Sequence, residues 1–370
     1  MLYLIGVGIN EYESLSVKSI EILKNSHIIY LDNFTSYLSD DFALKIKDIV
    51  NPIEKSEQEK NGIQVEFVER WLVEDGRDIL KNSVKKNISI LVYGDPLIAT
   101  TYTDLLSTAS RLGIKYEIIH SSSGVISLIG ESGLHYYKFG KMVTMMSDPM
   151  SSITVYDTIY NNLCLGLHTL ILTEYNNDKT IDKNSSRQMP FYLNPKKVFE
   201  LLIEREKELK LLNLTENSFA MIASKIGTKD SKILSGKIKS LYNIQFNDGF
   251  NSIIIPGKFH FTEIDSIKSL TVVFDEPTDN SILVDRLSER MLKKYIPNAK
   301  KALDNLNSLI KSENEQYIKE YDVVLENAEN YILDAENFYK QGKLELAILS
   351  IGYAEGLIDS LRFQKGMNPW

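Results

Sequence analysis

The sequence predicts an α/β protein, with two α/β units followed by an all-α helical bundle at the C-terminal end. Three observations point there. Through the first part of the chain, apolar runs of strand length alternate with segments of helical period, the βαβα order of a mostly parallel sheet covered by helices. A second series of apolar runs, separated by helical patterns, occupies the middle of the chain. Beyond Asp275-Glu276-Pro277-Thr278-Asp279 strand-like runs stop, and helical periodicity holds to Phe363. The chain has 370 residues, enough for two or three packed units. Its 43% apolar and 25% charged residues, with only 9 Pro, exclude a mainly disordered or collagen-like chain.

Each element has a local signal. Leu2 to Val7 is an unbroken apolar strand, and a Gly-containing turn follows it. Ser16 is placed to cap a helix reaching about Lys24, and His27 to Leu31 is a second strand. Glu69 to Lys85 has helical period, Ile88 to Tyr93 is a third strand, and Gly113 stops a helix over Thr103 to Leu112. Lys115 to Ile119 is a fourth strand, after which Ser121-Ser122-Ser123-Gly124 opens a helix through Ile129. The second unit has strand-like runs at Met142 to Met145, Thr169 to Thr173, Phe219 to Ala223 and Ser252 to Ile255. Between Asn176 and Arg187 the chain is polar and reads as a mobile surface segment. About three helices complete the chain. In the penultimate one Leu325, Ala328, Tyr331, Ile332, Ala335 and Phe338 form one stripe, ended by Gln341-Gly342. Leu346, Leu349, Ile351, Tyr353, Ala354, Leu357 and Ile358 repeat the stripe in the last helix, and both are expected to be bundle core.

Charge and cysteine content narrow the function. The formal charge of -8 speaks against sequence-independent binding of nucleic acid or of an anionic membrane. The single cysteine, Cys164, has no internal disulfide partner, and the five His show no metal-ligand spacing, so no metal is expected. The start of the chain lacks the basic and long apolar regions of a signal peptide, and no apolar stretch is long enough to span a bilayer; a cytoplasmic protein is expected.

Four segments are candidates for chemistry. Gly6-Val7-Gly8-Ile9-Asn10 follows the first strand, where two glycines allow close backbone approach and Asn10 suits a left-handed position; a tight turn alone would use the same residues. The full dinucleotide fingerprint is absent, because Glu11 stands where its last Gly would be. Gly94-Asp95-Pro96, at the carboxyl end of the third strand, holds a carboxylate where open α/β sheets bind ligands, although Asp95 is equally able to cap its own turn. The Ser121–Gly124 loop offers small side chains and backbone amides to a neutral heterocycle, or is a loop only. Pro256-Gly257-Lys258-Phe259-His260 closes the last strand of the second unit, with His260 free to touch a ligand or to bond backbone. No nucleophile–base pair, phosphate loop or acid pair stands out, so the catalytic residues are not identified and a bound cofactor is expected to carry the chemistry.

Taken in order, these segments resemble the diphthine synthases, diphthamide-pathway methyltransferases of the tetrapyrrole-methylase superfamily. The resemblance covers about residues 1 to 270. It rests on Met1-Leu2-Tyr3-Leu4-Ile5-Gly6-Val7-Gly8, Tyr30-Leu31-Asp32-Asn33-Phe34-Thr35-Ser36, and Gly94-Asp95-Pro96 running to Thr101-Tyr102-Thr103-Asp104-Leu105. Ile129-Gly130-Glu131-Ser132-Gly133-Leu134, Tyr137-Lys138-Phe139-Gly140, Gly166-Leu167-His168-Thr169-Leu170 and Pro256-Gly257-Lys258-Phe259-His260 extend it. It implies an N-terminal α/β methylase subdomain over 1–124, a C-terminal one over 125–275 and a ligand cleft between them. Residues 284–370 form a helical domain that resembles a small archaeal family of unknown function, which suggests an archaeal fusion.

The resemblance further implies S-adenosylmethionine in the cleft, contacted by Ile9, Asp95, Ile98, Ser123, Gly124, Thr173, Ala223 and His260. Asn10 stands where the family usually has Gly, Gly124 where it has a longer side chain, and Thr173-Glu174 where it has Leu-Asp. The implied acceptor is the amino group of the carboxy-aminopropyl extension on a modified histidine of translation elongation factor 2, methylated to give diphthine. A homodimer is implied as well. Two alternatives remain open: a related methyltransferase with another acceptor, and a non-catalytic binding or scaffold protein.

Overall fold

The computed structural model describes residues 1–51, 62–177, 190–212, 214–246, 249–278, 284–311 and 315–367. They fall into two compact units, Met1–Leu283 and Val284–Trp370. The first unit contains two larger sheets and a two-stranded ribbon.

The first sheet is built from β1 (Leu2–Gly8), β2 (Ile28–Asp32), β3 (Gln64–Val68), β4 (Ile88–Tyr93) and β5 (Tyr116–Ile119), in the order β3-β2-β4-β1-β5 with every pairing parallel. Its central strands carry side chains into two cores, as a period of two requires. Leu2, Leu4, Ile28, Tyr30, Ile88 and Ile90 join one core, while Ile5, Val7, Ile29, Leu31 and Leu91 join the other. Helices α1 (Val17–Lys24) and α2 (Asp40–Val50) cover the second of these faces through Leu23, Phe42, Ile46 and Val50. Helices α3 (Arg70–Asp75), α4 (Arg77–Ser83) and α5 (Thr103–Arg111) cover the first, through Val73, Ile79, Leu80, Leu105 and Ala109. Ser16 does cap α1, accepting from the Ser19 N–H. The single helix expected over Glu69 to Lys85 is two helices, because Gly76 takes a left-handed conformation (φ 63°) and ends the first.

The second sheet begins after α6 (Gly124–Glu131). It consists of β6 (Val143–Met145), β7 (Thr169–Thr173), β10 (Phe219–Ser224), β11 (Lys232–Lys237), β12 (Asn251–Ile255) and β13 (Val272–Val273), in the order β13-β11-β10-β12-β7-β6. It is mixed rather than parallel: β10 runs antiparallel to both β11 and β12, and β12 to β7. Short β8 (Tyr175–Asn176) and β9 (Phe191–Tyr192) pair as the ribbon. Most of the polar stretch from Asn176 to Arg187 lies outside the described residues. Helices α7 (Ser151–Leu163), α8 (Pro195–Leu209), α9 (Ile238–Tyr242) and α10 (Phe261–Leu270) complete this half.

The second unit is three long helices, α11 (Leu287–Lys311), α12 (Glu315–Lys340) and α13 (Leu344–Gln364). Leu292, Ile296, Ala299, Leu303, Leu306 and Ile310 meet Leu325, Ala328, Ile332 and Ala335 in a core that α13 completes with Leu344, Ala347, Ile351, Ala354, Ile358 and Leu361. The stripe expected on the last helix is therefore partly misplaced. Leu346, Leu349 and Tyr353 are exposed, because α13 is apolar nearly all round and its periodicity alone does not choose a face.

Candidate functional site

Strands β1 and β4 are neighbours, and the chain leaves them in opposite directions along the sheet, from β1 toward β2 and from β4 toward β5. A crevice opens at the carboxyl ends of such a pair. Here a cavity of about 950 Å³ occupies that position. Gly8 and Gly94 close its floor by exchanging two backbone hydrogen bonds of 3.0 Å, each with φ near 76°. A Cβ on Gly6 would stand 2.7 Å from the Gly94 carbonyl oxygen, so the glycine turn is required for strand ends to approach. The left-handed residue beyond it is Glu11 (φ 49°), whereas the expected Asn10 has φ -110°.

The first-sheet wall carries five of the residues singled out in the sequence. Asp95 is buried and does cap its own corner: Oδ1 accepts from the Leu97 N–H (3.0 Å). Its Oδ2 lies 2.8 Å from His120 Nδ1 and accepts from the Ser121 N–H. The carboxylate thus ties the β4 corner to the loop after β5. Ser122 Oγ accepts from the Ile9 N–H (3.3 Å), and the Tyr93 hydroxyl donates to the Ile9 carbonyl (3.0 Å), fixing the loop after β1 from both sides. Burial, with Glu11 nearby, pushes the Tyr93 hydroxyl up to about 12, so it stays a donor. Ser123 and Gly124 begin α6 with no side-chain cap, leaving the first amides of that helix at the cavity; Ile98 stands at its rim.

The second sheet supplies the opposite wall. Thr173 and Ala223 line it at the ends of β7 and β10, and the Thr173 hydroxyl donates to the Asn251 carbonyl (2.6 Å). After β10, Lys225 (φ 53°) and Gly227 (φ 86°) turn the chain against the first-sheet wall; a Cβ on Gly227 would meet the Ile9 carbonyl oxygen at 2.6 Å. Backbone of this kind persists only where the surroundings hold it, and it concentrates at ligand sites. Glu11, Ala99 and Lys225, three residues other than glycine with positive φ, all line this cavity.

His260 is not brought to the cavity. It caps α10, accepting from the Thr262 N–H, and its ring lies 5.3 Å from that of His135. Glu263 completes that capping box from a fully buried position. It also accepts from the His135 N–H (2.8 Å), His168 Nε2 (2.9 Å) and Lys138 Nζ. The buried Asp32 at the end of β2 accepts from the Phe34 and Thr35 N–H groups and the Tyr102 hydroxyl. Burial raises its carboxyl above the ordinary value despite these bonds. It shapes the loop whose Thr35, Ser36 and Tyr37 line the cavity.

Sequence reasoning passes over several lining residues. Glu11, Lys45, Lys225, Tyr175, Tyr192 and Phe250 all line this cavity from six separate segments. Only the glycines beside them, Gly227 and Gly249, carry a local signal.

The cavity can admit a ligand of nucleoside size, and its fixed carboxylate, uncapped helix start and close backbone floor suit an adenosine-bearing sulfonium such as S-adenosylmethionine. Among the described residues no group of three or more His, Cys, Asp or Glu is placed to hold a metal ion. No described helix is long and apolar enough to cross a membrane.

Comparison with known proteins agrees with this architecture. Residues 1–242 match the family described as Tetrapyrrole (Corrin/Porphyrin) Methylases, and residues 294–367 match a family described as Protein of unknown function (DUF357). The diphthine synthase of Methanocaldococcus jannaschii is 32% identical over 276 residues, which cover 73% of this chain and 98% of the relative. The diphthine methyl ester synthase of Saccharomyces cerevisiae is 32% identical over 266 residues, covering 70% of this chain and 85% of the relative. A crystal structure of diphthine synthase, 23% identical, superposes with a TM-score of 0.60 over 74% of this chain and 96% of its own, a likeness of fold. The chain therefore belongs to the tetrapyrrole methylase family, as a methyltransferase among the diphthine synthases that carries an additional helical unit.

Proposed function

We propose that the protein binds S-adenosylmethionine in the cavity between its two sheets and methylates the amino group of the carboxy-aminopropyl-histidine of elongation factor 2, giving diphthine. The observation that carries this reading is convergence: Ile9, Asp95, Ile98, Ser123, Gly124, Thr173 and Ala223, drawn from segments that match the family, line one cavity. We assign 1–124 and 125–275 as the subdomains forming its walls, and read the protein as a cytoplasmic homodimer.

S-adenosylmethionine supplies, when bound, a methyl group on a sulfonium whose departure leaves a neutral thioether. The protein's task is then alignment and exclusion of water, and proximity with orientation is worth roughly 7–11 kcal/mol in favourable cases. Asp95, held by Leu97 and Ser121, presents a fixed acceptor to the donor's ribose or amino-acid end. The loop after β1, clamped by Tyr93 and Ser122, forms the floor on which Ile9 contacts the donor. An amine that arrives neutral needs no strong general base, and no residue is assigned that role.

The test is incubation of the purified protein and S-adenosylmethionine with elongation factor 2 bearing the unmethylated extension, followed by mass measurement of the tryptic peptide. Three added methyl groups, stable to mild base, are expected. A fourth, base-labile methyl would assign a methyl ester product, the activity named in the yeast relative. Donor binding without any mass shift would overturn the acceptor.

A further inference from the structure

One wall of the cavity is aromatic. Tyr175 on β8, Tyr192 on β9 and Phe250 just before β12 form a triangle with ring centroids 5.0 to 5.2 Å apart. Their planes are inclined by 39°, 52° and 90°, so faces and edges alternate rather than stack. Tyr93 extends the wall, its ring centroid 6.3 Å from that of Phe250 and the two planes inclined by 21°. All four line the cavity and all are only half-buried. The hydroxyls of Tyr93 and Tyr175 are committed to the carbonyls of Ile9 and Asn33, which fixes the rings. What the wall offers a ligand is therefore π surface, and π surface attracts cations, alkylated ammonium ions above all because they shed water easily. Lys225 stands next to it: its backbone N–H donates to the Phe250 carbonyl (2.8 Å), and its side chain passes close over Gly249. A positive charge beside an aromatic wall matches a ligand whose quaternary nitrogen and carboxylate share one carbon.

We propose that Tyr175, Tyr192 and Phe250, with Lys225 beside them, form the acceptor subsite, holding the amino group through its successive methylations by ring–cation contact and the adjacent carboxylate by charge. The assignment rests on the acceptor named above, an α-amino acid extension. Each of the first two transfers leaves an ammonium that gives up a proton to solvent before the next, and each added methyl makes the cationic form a better partner for the rings, so the partly methylated acceptor is retained until the third transfer. Tyr175, Tyr192 and Phe250 are thus specificity-determining residues, distinct from the seven lining residues assigned to the donor.

The test uses the full chain and the variants Phe250→Leu, Tyr192→Leu and Tyr192→Phe. At limiting turnover the wild type is expected to release mainly trimethylated product. The two Leu variants should accumulate mono- and dimethylated peptide and raise the acceptor KM about tenfold, the size of one desolvated ring–cation contact. Tyr192→Phe, which keeps the ring, should recover most of the trimethylated product lost in Tyr192→Leu, and the donor Kd measured by calorimetry should stay within twofold in every variant. An unchanged methyl distribution, or a donor Kd weakened as much as the acceptor KM, would overturn the assignment. Should the wild type transfer nothing to this acceptor, the broader reading fails first, and glycine betaine titrated in the presence of donor still decides the wall. Binding that is lost in Phe250→Leu supports it, and equal binding by both proteins, or by neither, refutes it.

Discussion

Glu263 receives four hydrogen bonds in a position closed to solvent, and its ionisation links α10 to the loops before β6 and β7. Its donors are the His135 and His260 N–H groups, His168 Nε2 and Lys138 Nζ. The Gly257 N–H donates to His168 Nδ1 (2.9 Å), which leaves the proton on Nε2 and the imidazole neutral. Burial alone would raise the Glu263 carboxyl, but the bonds from His168, Lys138 and the two backbone amides outweigh it and hold it far below the carboxylate range. Burial likewise lowers His168 below 6.5. Both signs agree. A carboxyl depressed in the folded state contributes stability that is complete above about pH 4.5 and fades as pH falls toward its folded value. A depressed histidine adds a loss that begins near pH 6.5, where the unfolded chain takes up a proton and the folded chain does not. The urea midpoint should therefore fall steadily from pH 7 to pH 4. Glu263→Gln should cost about 3 kcal/mol at pH 7, the scale for breaking a buried charge pair, and flatten the curve below pH 5. Parallel curves for variant and wild type would sink this account. His168 and the Pro256–His260 run are visible in the sequence as segments, but their meeting at Glu263 is not. His168 and Glu263 stand 95 positions apart, and nothing in the sequence between them signals the contact.

At the scale of elements, strands that end at the cavity were legible because an open α/β sheet must expose its carboxyl ends there, and apolar runs such as Ile88–Tyr93 have one reading. The aromatic wall was not, since Tyr175, Tyr192 and Phe250 come from short pieces whose pairing is entirely non-local. Lys232–Lys237, a strand inside the second sheet, was hidden by its small residues Ser235 and Gly236. Helix α13 shows the opposite difficulty, too much apolar sequence for its period to select a face. It also contains Gly352 and Gly356, where an added Cβ would meet nothing within 4 Å. Glycine inside a helix costs roughly 0.8–1 kcal/mol relative to alanine. Gly352→Ala and Gly356→Ala should each raise hydrogen-exchange protection of the α13 amides about fourfold, and the double variant by the product. Reduced protection would show that another surface in solution needs the space these glycines leave.

The whole molecule divides along its cores. Among the described residues, the cluster formed by α11, α12 and α13 draws only on residues from Leu292 onward, and the clusters on the first sheet and on one face of the second draw only on residues before Leu270 apart from the partly buried Val273. Cores that share no residue need not fold together, and a domain is defined by owning its core. The helical unit resembles a family described as being of unknown function, while the family match of the first unit, residues 1–242, spans the cavity segments other than Gly249–Ser252. Two fragments test this independence. Residues 1–283 should stay soluble, bind S-adenosylmethionine within twofold of the full chain and transfer methyl groups with kcat/KM within threefold. Residues 284–370 should be helical by circular dichroism and melt cooperatively, with the few kcal/mol of stability usual for a small bundle. Insoluble 1–283 would mean that the bundle is needed to fold the methylase. Soluble 1–283 with intact donor binding but an acceptor KM raised tenfold would give the bundle a different place, as part of the surface that receives the protein substrate.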